Sequence, residues 1–274
     1  MTVEAEDPEH EAETPLTFFG KEVLVTRERW KISREQLANE AACGYSLVAK
    51  IEKGDRTPSL EFARACDRIF PNAEGRFERL YPLALRFAFP PWFRRYVKLE
   101  WKATAVRMFH PQLMPGLVQT EGYARAVLRT GRPPNLESLV TGRIERQRIL
   151  NREENPARLW VVLNEAALTN QVGSPEVMHQ QLGRLLELAD TPRHRVLVVP
   201  DEGQHHGWAS PFGILSFKDD DDKVHVDGFP RGYLLAEPED VQRASDAYDL
   251  LVALALSPDK SAALIETTQK ERYS

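Results

Sequence analysis

Cysteine is nearly absent from this chain: Cys43 and Cys66 are the only two among its 274 residues. One falls in a predicted turn and the other in a predicted helix. Two cysteines in a chain of intracellular character do not predict a structural disulfide. We therefore expect both to be small, largely buried thiols of a cytoplasmic protein.

Long apolar stretches are also missing. No apolar run approaches the ~18 residues that a membrane-spanning helix needs. Residues 1–16 carry six acids and no base, whereas a secretory signal is basic and then apolar. We expect no membrane partner, and we interpret residues 1–16 as a disordered acidic tail.

The motifs of several enzyme classes are lacking as well. There is no glycine-rich phosphate loop and no dinucleotide fingerprint. No nucleophile elbow surrounds Ser210, although His205 and Asp201 are near it in sequence. A metal site at His205, His206 and His225 is disfavoured because adjacent histidines on a strand or loop point to opposite sides. We expect that the chain is not an enzyme and that it binds no metal and no cofactor. The alternative is a hydrolase that depends on His205.

Positive charge is not in excess, since the net charge is −5. The acidic tail accounts for the deficit, and residues 92–158 carry thirteen Lys or Arg against six Asp or Glu. Local charge, rather than the total, sets affinity for phosphates. A nucleic-acid partner is therefore compatible with the composition. The basic stretch itself is interpreted as a solvated helix face, with a secondary DNA contact as the alternative.

What the sequence does contain is a pattern of two short helices between residues 33 and 58. Ser33 and Gln36 form a capping-box pattern at the start of the first helix. The second is predicted from about Tyr45 to Lys53. It ends at Gly54, where a left-handed residue is favoured.

The connection and the second helix together suggest a DNA-reading element. Ala42 and Gly44 bracket a turn where bulk is excluded, which we expect to let the two helices cross closely. The outward side of the second helix carries short, polar or cationic residues that suit a major groove. An ordinary αα-hairpin is the alternative. The outward residues are Tyr45, Ser46, Ala49 and Lys50.

Residues 18–70 resemble the lambda-repressor-like (XRE) helix-turn-helix fold. Three motifs carry the resemblance: LAxxA at 37–41, IExG at 51–54 and RTP at 56–58. The resemblance implies contacts to phosphates or outer bases from Arg34 and Gln36. Gly44 departs from the pattern, because the family usually has a Ser or Thr cap there.

The same resemblance assigns further roles. Tyr45, Ser46 and Lys50 fall where the family reads base edges, and we expect Arg56 to hold a phosphate together with Arg34. A structural ion pair between the first and third helices is implied for Arg27 and Glu52.

The second half is similar to the C-terminal domain of a family of actinobacterial helix-turn-helix regulators. Segments 115–128, 143–150, 163–168 and 205–217 carry this similarity. The family is described as antitoxin-like transcriptional regulators, whose genes often lie beside one for a small partner protein. It implies no ligand.

We therefore expect a multi-domain chain. Residues 17–89 are predicted to form an all-α, five-helix, helix-turn-helix DNA-binding domain, and the Pro90–Pro91 pair to end it. Residues 92–274 are predicted to form an α+β domain for dimerisation, partner binding or ligand binding. The expected function is a homodimeric, sequence-specific regulator that binds double-stranded DNA. The alternative is an antitoxin-like interaction protein with a vestigial helix-turn-helix that sequesters a small partner.

Within the α+β domain the sequence predicts several helices, the first from Trp92 to Val106, and five strands that follow that first helix. Core packing is expected for Trp92, Trp101, Trp160 and Trp208. The acidic run at 218–223 is predicted to be a solvated hairpin tip rather than a cation site. The strands are predicted at 159–163, 196–199, 212–217, 223–226 and 233–236.

Overall fold

The computed structural model describes residues 14–86, 88–202 and 210–274. The expectations for residues 1–13, for the His205–His206 pair and for Trp208 lie outside the described residues. The end of the predicted tail 1–16 is wrong, because Thr14 caps the first helix and Pro15 and Leu16 begin it. The chain divides into two compact units, one ending at Phe89 and the other beginning at Pro90. The division coincides with the start of the Pro90–Pro91 pair.

The first unit is helical throughout its regular structure. Hydroxyl groups of Thr14, Ser33 and Ser59 cap three of its helices by accepting a hydrogen bond from the backbone amide three residues on. The core forms around Phe19 and Phe77, whose rings meet edge to face with centroids 5.8 Å apart. The helices are α1 (Pro15–Arg29), α2 (Arg34–Glu40), α3 (Tyr45–Glu52), α4 (Leu60–Ile69) and α5 (Arg76–Arg86).

One close approach of two helices in this unit depends on Gly20 in α1. A Cβ atom at Gly20 would lie 2.3 Å from the carbonyl oxygen of Ile51 in α3. At Gly44, by contrast, a Cβ atom would meet nothing within 4 Å. The expectation that Gly44 permits a close helix crossing is therefore wrong, because the crossing that excludes a side chain is that of α1 with α3.

The chain reverses at left-handed residues on both sides of α3. Gly54, just after α3, has φ +77° and confirms the predicted stop. Ala42, before α3, has φ +47°, a conformation that alanine adopts only at a cost. These two residues set where α3 begins and ends.

The second unit contains a six-stranded sheet covered on both faces by helices. Two short 3₁₀ segments, Gly116–Val118 and Gln147–Leu150, lie among its connections. The strands are β1 (Ala105–His110), β2 (Arg158–Asn164), β3 (His194–Val199), β4 (Phe212–Ser216), β5 (Lys223–Val226) and β6 (Tyr233–Leu235). The helices are α6 (Arg94–Glu100), α7 (Glu121–Arg129), α8 (Leu136–Arg146), α9 (Ala166–Thr169), α10 (Pro175–Ala189), α11 (Pro238–Leu254) and α12 (Pro258–Arg272).

The sheet is mixed, with strand order β3-β2-β1-β4-β5-β6. Strands β1, β2 and β3 run parallel, while β4 is antiparallel to β1 and continues into an antiparallel meander. β1 is thus the strand at which the two halves of the sheet meet. Its last residue, His110, lies at the edge where loops and helices can add polar side chains.

Each face of the sheet has its own core. Val106 and Met108 of β1 belong to the core under α10 and α12, whereas Phe109 packs on the opposite face with Tyr248 of α11. This alternation follows from the two-residue period of a strand.

The outer border of β3 is closed by the connection between α11 and α12. The amide of Val198 donates to Ser261 Oγ at 3.0 Å, and its carbonyl accepts from the amide of Leu256 at 2.8 Å. β3 therefore has these backbone groups satisfied on the side away from β2.

Several sequence expectations are corrected here. The predicted helix from Trp92 to Val106 is in fact α6 followed by the start of β1. Trp92, Trp101 and Trp160 are each about two-fifths exposed or more, so the core-packing expectation is wrong for these three. The five predicted strands are confirmed as β2 to β6, within a residue or two at their ends. Among the helices described, none combines the length and apolar character needed to cross a bilayer.

Candidate nucleic-acid interface

The predicted base-reading residues lie together on the outer side of α3. Tyr45 is 48% exposed, and Ser46 and Lys50 are also exposed. Val48 and Ile51, on the other side of the same helix, are fully buried in the first unit's core. α3 therefore has one face fixed by packing and one face open to a partner.

Ala49 lies on the same outer side but is half-buried. Its methyl group keeps the middle of the surface low between Tyr45 and Lys50. We call the exposed surface formed by Tyr45, Ser46, Ala49 and Lys50 the α3 face.

A buried carboxylate anchors α3 to α1 and α2. Glu52, whose side chain is 1% exposed, accepts from Arg27 Nε at 2.6 Å and from Arg34 Nε at 2.7 Å. Arg27 Nη1 also donates to the carbonyl of Ile32 at 3.1 Å. Two cations on one anion leave the group with one net positive charge, and both arginines hold α3 in place.

Arg34 connects this anchor to the α3 face. Its Nη1 donates to the phenol oxygen of Tyr45 at 3.2 Å, and the guanidinium lies 5.8 Å from the centre of that ring. Its hydrogen bonds with Tyr45 and then with Glu52 raise the pKa of Arg34 above its ordinary value. Arg34 is 30% exposed, so part of this fixed cation faces solvent beside Tyr45.

The other two predicted contact residues have roles within the unit. Gln36 is exposed, but its Oε1 accepts from the amide of Ser33 at 2.7 Å and completes the capping box of α2. Arg56, after α3, is half-buried and makes contacts inside the structure. Gln36 lies in the first turn of α2, and Arg56 follows α3 in the chain.

The start of α3 lacks a side-chain cap. Gly44 occupies the N-cap position with extended φ and ψ, and no side-chain hydrogen bond is made there. The departure noted in the sequence therefore has a structural counterpart: the first amides of α3 are held less firmly than those of α2.

Sequence reasoning missed two features of this site. Gly20 carries no motif signal, yet it sets the distance between α1 and α3. The double use of Arg34 was also missed, because spacing along the chain does not reveal that one guanidinium reaches both Glu52 and Tyr45.

The rival sites considered for the second unit lie partly outside the described residues. His225 is buried in β5, Asp201 is exposed, and His205 with its neighbour lies outside the described residues. Across residues 14–86, 88–202 and 210–274, no three His, Cys, Asp or Glu side chains converge as metal ligands would. Asp219 to Asp221 are exposed at the hairpin tip between β4 and β5, as predicted.

Comparison with known families places the match in the second unit. A family model described as "Domain of unknown function (DUF5753)" matches residues 93–267, which is more than half of the chain. No curated protein matches the chain significantly, and no solved structure does.

Proposed function

Because this chain belongs to the DUF5753 family, whose description assigns no activity, we propose its function from the α3 face: it is a transcriptional regulator that binds double-stranded DNA sequence-specifically. The first unit would act as a helix-turn-helix module. The proposal includes no catalytic step and no cofactor.

The observation that carries the proposal is the separation of the two sides of α3. Tyr45, Ser46 and Lys50 are exposed on one side, while buried residues and Glu52 fix the other. A major groove is wide enough for one such helix. In the proposed complex these three side chains discriminate bases, and Ala49 allows close approach.

Phosphate contacts would set the position of the module on DNA. Arg34 is held beside Tyr45 with part of its guanidinium exposed, so its charge can meet a phosphate without reorganisation. We assign the same role to Arg56, and an outer contact to Gln36. Contacts of this kind position a protein on DNA but carry no sequence information.

The charge of the first domain is compatible with this role. Residues 17–89 carry thirteen Lys or Arg and ten Asp or Glu, unlike the acidic tail. A modest excess predicts binding that weakens as salt rises, because each neutralised phosphate releases counterions.

We further propose that the regulator acts as a homodimer. Two copies of α3 would enter successive major grooves about 34 Å apart on a palindromic site. The second unit would then serve dimerisation, partner binding or ligand binding.

One observation favours a second candidate function. The uncapped start of α3 and the internal engagement of Arg34 also suit a module that no longer reads DNA. The chain would then be an antitoxin-like protein that sequesters a small partner, encoded by a neighbouring gene.

The test is to select DNA fragments with the purified full chain and to measure binding to them at several salt concentrations. Lys50→Ala should cost about 1–3 kcal/mol at one base pair of the selected site. Lys260→Ala is the charge-matched control, because Lys260 is exposed in α12 of the second unit and does not belong to the α3 face. Equal weakening on all sequences would assign Lys50 to a phosphate. Failure to retain any duplex at low salt would overturn the proposal and favour the sequestering protein.

A further inference from the structure

A group of charged and aromatic side chains, most of them buried, lies at the carboxyl end of β1 in the second unit. They come from α6, β1, α8 and the end of β5, segments that are distant in sequence. No part of the proposed DNA-binding function uses them. We call them the β1-end cluster: Tyr96, Glu100, His110, Arg143, Arg146, His225 and Asp227.

One ion pair forms the rigid part of this cluster. Arg146 donates from Nε and Nη2 to the two carboxylate oxygens of Glu100, at 2.7 and 2.8 Å. The side chains are 7% and 1% exposed, and the guanidinium also lies 5.6 Å from the centre of the Tyr96 ring. The charges of Arg146 and Glu100 compensate each other, so this pair supplies structure rather than net charge.

Arg143, on the same helix as Arg146, is a different case. Its guanidinium has one hydrogen bond within the described part of the chain, from Nη1 to Gln119 Oε1 at 3.0 Å. Gln119 is itself fixed, because its Nε2 donates to the carbonyl of Met114 at 2.7 Å. Arg143 is half-buried, and no carboxylate of the described residues forms an ion pair with it.

The surroundings of Arg143 keep it cationic without a direct ion pair among the described residues. Burial and then the charge of Arg146 lower its pKa to about 10, while the carboxylates of Asp227 and Glu100 oppose the shift. Gly116 leaves room beside both arginines: a Cβ atom there would lie 3.3 Å from Arg146 Nη1 and 3.7 Å from Arg143 Cδ. Arg143 is thus a half-buried cation that donates only one of its guanidinium N–H groups to the residues that the structure describes.

His110 ends β1 and presents a second unsatisfied group. Its Nε2 is buried and has no hydrogen-bond partner among the described residues. The nearest carboxylate oxygen, Oδ2 of Asp227, is 4.0 Å away, beyond hydrogen-bond distance. A buried polar atom without a partner is unfavourable, and in native proteins it calls for a specific explanation.

Asp227 and His225 are the remaining members of the β1-end cluster. Asp227 Oδ1 lies 3.4 Å from His225 Nδ1, and the His225 ring lies against Tyr96 with centroids 4.2 Å apart. Asp227 is 46% exposed, so it lies at the open side of the cluster. Tyr96 therefore contacts both Arg146 and His225, and Asp227 lies near both histidines. Arg143 is close enough for its charge to act on His110.

We propose that the β1-end cluster is a binding site for a small molecule carrying a carboxylate or phosphate group. Arg143 would donate to the oxyanion, and His110 Nε2 would supply a further hydrogen bond. The ion pair of Arg146 with Glu100 would hold the floor of the site.

The position within the fold agrees with this assignment. β1 has a parallel neighbour on one side and an antiparallel neighbour on the other, so His110 lies where the sheet changes direction. In open α/β sheets, ligands bind beyond the carboxyl ends of strands where the topology changes.

The test titrates the full-length protein, without DNA, with sodium phosphate and separately with sodium acetate, against sodium chloride of equal ionic strength. The readouts are the heat of binding and the imidazole nitrogen resonances of ¹⁵N-histidine protein, with His110 assigned by comparison with His110→Gln. We expect at least one oxyanion to bind and to shift the His110 Nε2 resonance. Arg143→Gln and His110→Gln should each weaken that binding about ten-fold or more, which is ~1.4 kcal/mol.

Arg129→Gln is the charge-matched control, because Arg129 is exposed on α7. It should bind as the unaltered protein does. A response to phosphate but not acetate identifies a phosphate ligand, and the reverse identifies a carboxylate. If Arg143→Gln and Arg129→Gln respond equally, or if neither oxyanion moves the His110 resonance, the assignment is overturned. DNA is absent throughout, so this outcome is independent of the proposed regulatory function.

Discussion

Arg34 and Tyr45 meet between α2 and α3, with Nη1 of the guanidinium 3.2 Å from the phenol oxygen. The same guanidinium donates from Nε to Glu52. One side chain thus joins a buried anchor to an exposed aromatic ring. The stability of the first unit and the shape of the α3 face are therefore coupled through Arg34.

This coupling predicts different results for the two arginines that bind Glu52. Arg27→Ala removes a partner from a carboxylate that is 1% exposed, and should destabilise the first unit by roughly 3 kcal/mol. Hydrogen exchange of the amides of α1 and α3 measures this. DNA affinity at low temperature, where the variant stays folded, should change little. Unchanged exchange protection with lost DNA binding would reverse the structural role given to Arg27.

For Arg34→Ala we expect a smaller loss of stability, because its side chain is 30% exposed and Arg27 still pairs with Glu52. DNA binding should weaken on all sequences and its salt dependence should become shallower, since a phosphate contact is lost. Gel-shift titrations at several salt concentrations measure both effects. A loss confined to one base pair would contradict the phosphate role.

Gly20→Ala tests the packing of α1 on α3. The added methyl group would approach the backbone carbonyl of Ile51, which cannot move away as a flexible side chain can. We expect a destabilisation of about 1–3 kcal/mol, measured as faster hydrogen exchange in both helices. A matched Gly131→Ala change should leave these helices unaffected, because Gly131 lies in the second unit with only the Leu128 carbonyl oxygen nearby, at 3.7 Å. Undiminished protection in Gly20→Ala would show that the helices can separate freely.

Gly44→Ser should stabilise the first unit, whereas Gly20→Ala should destabilise it. The site has extended N-cap geometry and open space for a side chain, so a hydroxyl can accept from the free amides at the start of α3. The expected gain is roughly 0.5–1 kcal/mol, combining the cap with a less flexible unfolded chain. Slower amide exchange in α3 would report it. Gly44→Ala is the control that alters flexibility without a cap.

His110 predicts a pH dependence of stability. Burial lowers its pKa to about 4 from an ordinary value of 6.5; Asp227 opposes the shift. His225 and Arg143 add to it. Between these two values the unfolded chain takes up a proton that the folded chain does not. The free energy of unfolding is therefore unaffected by this group above pH ~6.5. As the pH falls toward ~4, it decreases by up to about 3 kcal/mol.

Chemical denaturation of the full chain at several pH values, followed in the second unit, measures the effect. In His110→Gln the slope over this window should become shallower. His179→Gln should keep the slope, because His179 is exposed on α10. An unchanged slope in His110→Gln would assign the pH dependence to other groups.

Local rules predicted much of the fold. The capping box at Ser33, the stop at Gly54 and the buried apolar strands each depend on a few adjacent residues, and each is present. The helix expected across residues 92–106 is wrong, because α6 ends at Glu100 and Val106 is a core residue of β1. The periodicity of this segment, in which four of fifteen residues are aromatic, does not distinguish helix from strand.

The parts that could not be predicted depend on contacts between distant residues. Gly20 matters only because α3 passes over it. His110 Nε2 is buried without a hydrogen-bond partner among the described residues, and its surroundings include residues of β5 and α8 that are distant in sequence. The exposure of Trp92, Trp101 and Trp160 likewise depends on which parts of the fold the neighbouring helices cover. Composition does not predict this.

The hydrogen bonds of Ser261 and Leu256 with the backbone of Val198 also affect aggregation. An open strand at that border would be a template on which another chain could add a strand. Here another chain would first have to displace Ser261 and the start of α12 from the edge of β3. We therefore expect no strand addition at this edge when the protein is concentrated, even if other surfaces of the molecule associate.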